Sequence, residues 1–379
     1  MAEARSGAAE PKVRFAEEPA GRFVVGFVAL ENPRALNALD LPMLAAMGDK
    51  LLEWRGREEI ACIVLHSEFE RAFCAGGDVK SLAIALQKPD GLALAREYFT
   101  TEYFVDYLIH AYPKPILCWA DGITMGGGIG VMNGASCRVV TERTALAMPE
   151  IAIGLFPDVG ATYFLSRLPH RIGLFLSLTG GHWSGYDAVA LGMADALAPA
   201  EQKTAVLSGL RALAWSKDGN ENKETLRSFV ARVCDTDARE KSALWKRREV
   251  IQHVVEATMI EEIDRNLRTW SGDDPWIARA IRGYSGGSPT SARVVFEQLQ
   301  SPTTLALKDV FLREWDMAIR FCDRSDFVEG VRARLIDKDN RPRWNPPALS
   351  DVRSAEIARY FLPHDGPHPL AEKFRFAAL

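Results

Sequence analysis

Two glycine-rich turns, CAGGD (74–78) and MGGGIG (125–130), constrain this chain most, because each follows an apolar run and precedes a helical pattern. Glycine leaves backbone N–H groups unobstructed, and a helix N-terminus adds positive partial charge. One such turn could bind a phosphate, whereas two could direct their N–H groups at a single oxygen atom. From the glycines alone, an anion-binding function and plain close packing of the backbone stay equally open.

Several other kinds of site lack their sequence motifs. GGGIG has no GxGxxG spacing with an acid about 20 residues further on, and no GK[ST] follows it, which argues against dinucleotide and P-loop sites. Ser184 in HWSGY lacks the first glycine of a GxSxG elbow. His110, His170 and His182 are not spaced as HxxxH or HExxH, so no metal site is predicted among these three.

The order of apolar runs indicates the fold class. FVVGFVAL (23–30), ACIVLHS (61–67) and ILCWADG (116–122) are typical of buried strands, and helical patterns lie between them. This alternation predicts an α/β fold with partly parallel sheets. Beyond about residue 215 strand-like runs end. We therefore predict a catalytic core over residues 13–215 and a helical C-terminal region over residues 216–379 that completes the active site or the assembly.

Composition narrows the possible partners and the compartment. The formal net charge is −4 with a pI near 6.1, so no basic excess favours nucleic-acid binding. Six cysteines are scattered without a CxxC pair, which is typical of reduced thiols. The N-terminal MAEARSGAAEPKVRF has no apolar signal segment, and no run of roughly 18 apolar residues occurs. We expect a cytoplasmic protein that binds neither nucleic acid nor membranes.

Two carboxylates stand in an apolar stretch, MPEIAIGLFPDVG (148–160). They are Glu150 and Asp158, and every other residue between them is apolar, glycine or proline. Burying a carboxylate in such surroundings is costly unless it has a partner. The pair is therefore either structural or catalytic.

Four separated segments carry a family resemblance. VGFVALENPRALNALD, AFCAGGDVK, DGITMGGGIG and AMPEIAIGLFPDVGATYFLSRL, in this order and spacing, resemble the crotonase (enoyl-CoA hydratase/isomerase) superfamily over about residues 22–200. Within it the chain is most similar to the 3-hydroxyisobutyryl-CoA hydrolases, through the last two segments and DFVEGVRARLIDKDNRPRW (326–344). The resemblance implies a crotonase-like ββα spiral core with a helical C-terminal region. It also implies an acyl-CoA substrate and no separate cofactor, since coenzyme A is part of the substrate.

The resemblance also places binding residues on this sequence. The backbone N–H groups of Gly77 and Gly127 would form an oxyanion hole for the thioester carbonyl. Glu102 matches a residue near the substrate hydroxyl, although a solvent-facing helix acid is an equally open interpretation. The segments NPRALNAL and GGDVK resemble those that hold adenine and pantetheine, which makes substrate contacts of Ala35, Leu36, Asp78, Val79 and Lys80. Arg34 and Lys80 are either phosphate contacts or ordinary solvated charges.

The acids decide which reaction the resemblance implies. A hydratase of this superfamily uses two glutamates, and the first of these positions, two residues past GGG, holds Gly130 here. Glu150 occupies the second, and Asp158 lies where the hydrolase resemblance places an acid. Because hydration needs a paired acid and base, the missing carboxylate favours thioester hydrolysis. Glu150 would attack the carbonyl or deprotonate water, and Asp158 would orient it and transfer the proton.

The predicted function is hydrolysis of a short-chain β-hydroxyacyl-CoA thioester, most specifically 3-hydroxyisobutyryl-CoA to 3-hydroxyisobutyrate and CoA in valine degradation. A hydratase or isomerase with Glu150 as its only base remains an alternative, as does a non-catalytic acyl-CoA-binding protein. A homo-oligomer is possible, although the long helical C-terminal region could occupy that interface instead.

Overall fold

The computed structural model describes residues 12–300 and 304–377, so most of the N-terminal segment for which we expected no signal lies outside the described residues. The described strands are β1 (Val13–Ala20), β2 (Phe23–Leu30), β3 (Ile60–Ser67), β4 (Ala72–Cys74), β5 (Ile116–Ala120), β6 (Ile123–Met125), β7 (Cys137–Val140), β8 (Ala145–Ala147), β9 (Trp183–Ser184) and β10 (Ala196–Leu197).

The described helices begin and end as follows. Those that accompany the strands are α1 (Leu41–Gly56), α2 (Val79–Ala85), α3 (Gly91–His110), α4 (Gly127–Gly134), α5 (Ala161–Leu165), α6 (Ile172–Thr179), α7 (Gly185–Ala190) and α8 (Lys203–Gly209). Those that follow are α9 (Gly219–Val233), α10 (Ala243–Val255), α11 (Ile260–Arg268), α12 (Pro275–Ser285), α13 (Pro289–Leu299), α14 (Leu307–Cys322), α15 (Ser325–Val331), α16 (Ser354–Tyr360) and α17 (Pro369–Phe376).

The strands form two sheets. One has the order β1-β2-β3-β5-β7-β10 and the other β4-β6-β8-β9. Only the terminal pairs β1–β2 and β8–β9 are antiparallel within these sheets, and all other neighbours are parallel. Parallel neighbours need a crossover, and helices supply it here. The predicted α/β fold class is therefore confirmed.

Local sequence explains several boundaries. Asp40 begins α1 because its side chain accepts a hydrogen bond from the Met43 N–H at 3.0 Å. Strand β3 is apolar and buried over almost its whole length, as expected for a strand covered on both faces. The glycine-rich turns lie after β4 and β6, where they lead into α2 and α4. Both turns therefore follow strands of the smaller sheet.

The helical C-terminal region packs directly against the strand-bearing part. Helix α14 lies on α3, where the Trp315 Nε1–H donates to Thr100 Oγ1 at 2.9 Å and both side chains are buried. Side chains of the two parts belong to one continuous apolar core. The described strands all end by residue 197. The division at residue 215 stays a prediction.

The thiols and helices are consistent with the expectations from composition. All six cysteines are unpaired, and only Cys234 is partly exposed. Among residues 12–300 and 304–377, no helix combines the length and apolar character needed to cross a bilayer.

Candidate active site

A cavity of about 740 Å³ opens where the two glycine-rich turns meet α3. Its wall contains residues of both turns, of α3, of the segment that follows β8 and of α12. Six of the residues singled out in the sequence lie on this wall: Gly77, Val79, Glu102, Gly127, Glu150 and Asp158. Residues far apart in sequence are thus brought into one pocket.

The two glycine turns approach each other closely at the base of the cavity. A Cβ on Gly127 would lie 3.2 Å from the Gly77 nitrogen. Gly127 is the first residue of α4, so its N–H has no acceptor within the helix. The Leu39 N–H donates to the Gly76 carbonyl, and the Asp78 N–H donates to the Leu39 carbonyl. The N–H of Gly77, which lies between these two residues, therefore points away from Leu39. Neither N–H group donates to the backbone of the described residues, and their joint binding of one oxygen atom stays a prediction.

Glu102 is buried on α3 and lies at these glycines. Its Oε1 would be 2.5 Å from a Cβ on Gly127 and 3.2 Å from one on Gly77. The Tyr98 hydroxyl lies 3.3 Å from the same oxygen and donates to the Leu39 carbonyl at 3.0 Å. Burial, with the Asp158 charge adding, raises the pKa of Glu102 well above its usual range. This shift favours the protonated form of the carboxyl, which can donate a hydrogen bond into the cavity.

Glu150 begins a 3-10 helix, Glu150–Ile153, directly after β8 and Pro149. Its Oε1 would lie 3.0 Å from a Cβ on Gly126, and its Oε2 is buried without a hydrogen-bond partner among the described residues. Burial, and then the nearby Asp158 charge, raises the pKa of Glu150 well above its usual range. One oxygen of this buried carboxyl is thus left without a partner in the described fold, and such an oxygen can contact a bound molecule.

Asp158 has a defined partner. The Tyr103 hydroxyl of α3 donates to its Oδ2 at 2.6 Å, and both residues are buried. Burial raises the pKa of Asp158 to about 6, while the hydrogen bond from Tyr103 acts in the opposite direction. The carboxylate can therefore exchange a proton close to neutral pH.

The helical C-terminal region holds the segment that carries Asp158. Glu314 of α14 accepts hydrogen bonds from the N–H groups of Gly160 at 2.6 Å and Thr162 at 2.8 Å. Gln298 of α13 donates to the Pro157 carbonyl at 2.7 Å. These contacts fix the backbone on both sides of Asp158, so the C-terminal region positions one of the two acids.

Gly130 has no room for a side chain. A Cβ there would lie 2.6 Å from the Val159 Cβ and 3.0 Å from Oδ2 of Asp106. Val159 itself has a φ of 53°, a conformation that β-branched residues rarely adopt. The position where a hydratase of the resembled superfamily would carry its first glutamate is thus filled by neighbouring side chains.

The remaining predicted substrate contacts lie outside the cavity wall. Ala35 and Lys80 are exposed, and Leu36 is half-buried with a φ of 52°. The Asp78 side chain caps α2 by accepting from the Ser81 N–H at 3.1 Å and hydroxyl at 2.7 Å. Contacts of these residues with a substrate stay predictions.

Sequence reasoning missed two arginines on the cavity wall. Arg279 of α12 is exposed, and Arg334 follows α15 inside the DFVEGVRARLIDKDNRPRW segment. Arg334 donates to Asn340 Oδ1 at 3.1 Å, and its buried Nε has no partner among the described residues. Neither forms an ion pair with a carboxylate of the described chain. The wall of the cavity therefore carries two arginine side chains in addition to the three acids Glu102, Glu150 and Asp158.

Other predicted features lie apart from the cavity. Trp119 is buried in a second apolar cluster with Phe27 and Val139 rather than on the wall. Of the three histidines, His182 is on the wall. No group of three or more His, Cys, Asp or Glu side chains in the described parts of the chain could hold a metal ion. Operation without a metal stays a prediction.

Comparison with known proteins shows the family of this chain. The sequence model of enoyl-CoA hydratase/isomerase matches residues 25–361. The 3-hydroxyisobutyryl-CoA hydrolase of Gallus gallus, named as mitochondrial, is 36% identical over 89% of this chain and 86% of that protein. 3-hydroxyisobutyryl-CoA hydrolase 1 of Arabidopsis thaliana is 33% identical over 89% of each.

Solved structures show the same fold. A carnitinyl-CoA dehydratase from Mycobacterium thermoresistibile has a TM-score of 0.82 and 31% identity, with 93% of this chain and 97% of that chain covered. An enoyl-CoA hydratase from Rhodobacter sphaeroides has a TM-score of 0.81 and 32% identity, with 93% and 98% covered. The crotonase-type core with added C-terminal helices is therefore shared.

Proposed function

The chain belongs to the enoyl-CoA hydratase/isomerase family, and on that premise we propose that it hydrolyses 3-hydroxyisobutyryl-CoA to 3-hydroxyisobutyrate and coenzyme A. The observation that carries this proposal is the presence of Glu150 and Asp158 on one cavity wall with the closely spaced Gly77 and Gly127, and with no acid at Gly130. Relatives named as 3-hydroxyisobutyryl-CoA hydrolases support the substrate. The activity is that of an acyl-CoA thioesterase.

The thioester carbonyl oxygen is proposed to bind the N–H groups of Gly77 and Gly127. Negative charge develops on that oxygen when the carbonyl is attacked, and donors already in place stabilise it without reorganisation. One such donor lowers the barrier by roughly 3 kcal/mol. Glu102, which lies beside both glycines, is proposed to form a hydrogen bond with the β-hydroxyl of the acyl group.

Glu150 is proposed to act on the carbonyl carbon, either by direct attack or by deprotonating water. In the first route a mixed anhydride forms as the C–S bond breaks, and water then opens it; in the second, water adds directly. Asp158, held by Tyr103, transfers the proton to the departing sulfur. The two carboxyls interact, so they titrate as a pair.

The phosphates of coenzyme A are proposed to lie at Arg279 and Arg334. The reacting end of the substrate carries no charge and suits the buried acids, whereas its nucleotide end is strongly anionic. Guanidinium groups bind phosphate oxygens well, and both arginines stand on the same wall as the acids. One extended molecule can therefore satisfy both ends of the cavity.

Hydration of an enoyl-CoA is the second candidate, because the similar solved structures are named as a hydratase and a dehydratase. It would require Glu150 to act without the usual second glutamate, since Gly130 leaves no space for one. Asp158 is a second acid on the cavity wall, but it does not occupy position 130, where a hydratase would carry its first glutamate. The absence of a carboxylate at position 130 favours hydrolysis.

Three further proposals concern the setting of the enzyme. It works without a resident cofactor or metal, because coenzyme A enters as part of the substrate. We place it in the cytoplasm, although the vertebrate relatives are named as mitochondrial, and cell fractionation tests this. The assembly is a monomer or a homo-oligomer, which light scattering would distinguish.

Thiol detection separates the candidate functions. Free thiol released from 3-hydroxyisobutyryl-CoA supports hydrolysis, whereas loss of crotonyl-CoA absorbance without thiol supports hydration. Glu150→Gln should reduce thiol release by a factor of 10³ or more. Unchanged turnover in that variant would overturn the proposal, and binding of the thioester without turnover by the unaltered chain would leave only an acyl-CoA-binding function.

A further inference from the structure

A line of polar side chains runs along α3 away from the cavity. Glu102, Asp106 and His110 are spaced by four residues each, so they lie one above the other on one face of the helix, with Cβ atoms roughly 6 Å apart. The cavity wall includes Glu102 but neither Asp106 nor His110. The line therefore starts at the active site and leaves it through the protein interior.

Helix α4 faces this line with glycines. Cβ atoms on Gly127 and Gly130 would meet the carboxylates of Glu102 at 2.5 Å and Asp106 at 3.0 Å. Further along α4, a Cβ on Gly134 would lie 2.8 Å from Cγ2 of Ile109 and 3.1 Å from the backbone nitrogen of His110. The carboxylates of Glu102 and Asp106 therefore occupy space that Gly127 and Gly130 leave between α3 and α4, and Gly134 lets the helices approach closely at His110.

The contacts of Asp106 do not indicate a structural role for its carboxylate. It is fully buried, and neither carboxylate oxygen has a hydrogen-bond partner among the described residues. The groups whose charges act on it are Glu102, Asp158 and Glu314, all acids, and the Cys74 thiol also faces it. Burial and these charges raise the pKa of Asp106 well above its usual range. A buried acid without a partner is destabilising and needs another explanation.

The far end of the line reaches groups that are partly exposed. His110 is half-buried, and its Nε2 is buried without a partner in the described chain, as is Nδ2 of Asn133 on α4. Asn133 Oδ1 lies 3.5 Å from the Arg138 guanidinium, which pairs with the exposed Asp195. Buried polar atoms of this kind are usually bridged by ordered water.

The proposed reaction creates a need for such a line. Hydrolysis breaks the C–S bond and forms a C–O bond; one proton of water goes to sulfur, and the other is released when the carboxylic acid product ionises. One proton per turnover must therefore leave a buried site. Coenzyme A fills the cavity at that moment, so the route through the mouth is obstructed.

We propose that Glu102, Asp106 and His110, joined by water, carry the product proton from the active site to the surface near Arg138. Asp106 is the central relay, and it accepts a proton on one oxygen as it gives one up from the other. This inference rests on the proposed hydrolysis. Asp106 and His110 touch neither the substrate nor the reacting atoms in it.

Kinetics of Asp106→Asn test the relay. We expect kcat to fall at least fivefold, KM to stay within twofold, and the solvent deuterium isotope effect on kcat to increase. Raising the concentration of a small buffer such as imidazole should restore the lost rate in Asp106→Asn and in His110→Ala, but leave the unaltered enzyme unchanged. A fall in kcat that imidazole does not restore, or no fall, would overturn the relay.

A matched histidine variant serves as the control. His170 is also half-buried, but it lies outside α3, and its Nδ1 is 2.7 Å from Oε1 of Gln252. The kcat of His170→Ala should therefore not depend on the buffer concentration. If Asp106→Asn does not fold, His110→Ala decides, because its side chain is partly exposed. Absence of thiol release by the unaltered enzyme would instead reject the proposed hydrolysis.

An infrared measurement tests the line without turnover. The difference spectrum between the unaltered protein and Asp106→Asn isolates the carbonyl stretch of the protonated Asp106 carboxyl. On transfer to D2O this band should shift promptly, because the line connects the acid to solvent. A band that stays unshifted while surface amides exchange would show a sealed acid and overturn the inference.

Discussion

The Tyr103 hydroxyl donates a 2.6 Å hydrogen bond to Oδ2 of Asp158, joining α3 to the segment that follows Glu150. The bond stabilises the ionised form of a carboxyl whose pKa burial raises to about 6. It therefore sets the upper pH limit up to which Asp158 still holds the proton that it transfers to sulfur.

Tyr103→Phe should move this limit upward. Losing a hydrogen bond to a charged group costs roughly 1.5–3 kcal/mol, equivalent to one or two pH units. The basic limb of the kcat/KM profile for thiol release, where Asp158 loses the proton that it gives to sulfur, should shift to higher pH by about that amount. Tyr107→Phe, one turn along α3, is the control. An unshifted limb in Tyr103→Phe would show that Asp158 does not titrate in the reaction.

Gly127→Ala should remove most of the activity. Its Cβ would lie 2.5 Å from Glu102 Oε1 and 3.2 Å from the Gly77 nitrogen, so it displaces both groups. Loss of an oxyanion donor reduces kcat by roughly 10²–10³. Gly56→Ala is the matched control, because a Cβ there meets no atom within 4 Å. Equal thiol release by the two variants would argue against an oxyanion hole at Gly127.

Gly130→Ala should destabilise the fold rather than create a hydratase. Its Cβ would lie 2.6 Å from the Val159 Cβ, and overpacking of this kind costs roughly 1–3 kcal/mol. Urea denaturation should show the loss. Val159→Gly, which removes the opposing Cβ, should make the double variant more stable than the sum of the single changes predicts. Strict additivity would contradict the contact.

Arg279→Gln and Arg334→Gln should each raise KM for the CoA thioester roughly two- to fivefold, the amount expected for a partly exposed charge pair. A pantetheine thioester, which lacks the nucleotide phosphates, should bind equally well to all variants. Arg34→Gln and Lys80→Gln provide the comparison at exposed cations off the cavity wall. A larger effect at Lys80 than at Arg279 would move the phosphates to the predicted GGDVK segment.

Local patterns explain what the sequence could predict. The cap at Asp40, the buried strands β2 and β3 and the two glycine turns depend on neighbouring residues, and the structure has them at these places. Strand β1 was missed because it is an edge strand whose sequence contains Glu17 and Glu18 and therefore has no apolar strand pattern. It is held by its antiparallel pairing with β2, and no local sequence pattern predicts this pairing.

Long-range packing explains what the sequence left open. Whether Glu102 faces solvent or the interior depended on the glycine face of α4, and that contact is visible only after folding. Tyr103 and Arg279 reach Asp158 and the cavity from distant segments, and neither belongs to a motif. Tyr103 is next to Glu102 in the sequence and could have been noticed there, but the sequence does not show that its hydroxyl bonds Asp158.

The pH dependence of stability should reveal the buried acid Asp106. Its pKa is raised in the folded protein, so between the unfolded value of about 4 and its folded pKa the folded state holds the proton that the unfolded state has lost. Stability contributed by this group is therefore lost as pH rises through that window. Asp106→Asn cannot titrate, so its free energy of unfolding should increase relative to the unaltered protein from pH 5 to pH 8, measured with urea. A difference that stays constant across this range would place an ionised or solvated carboxyl at position 106.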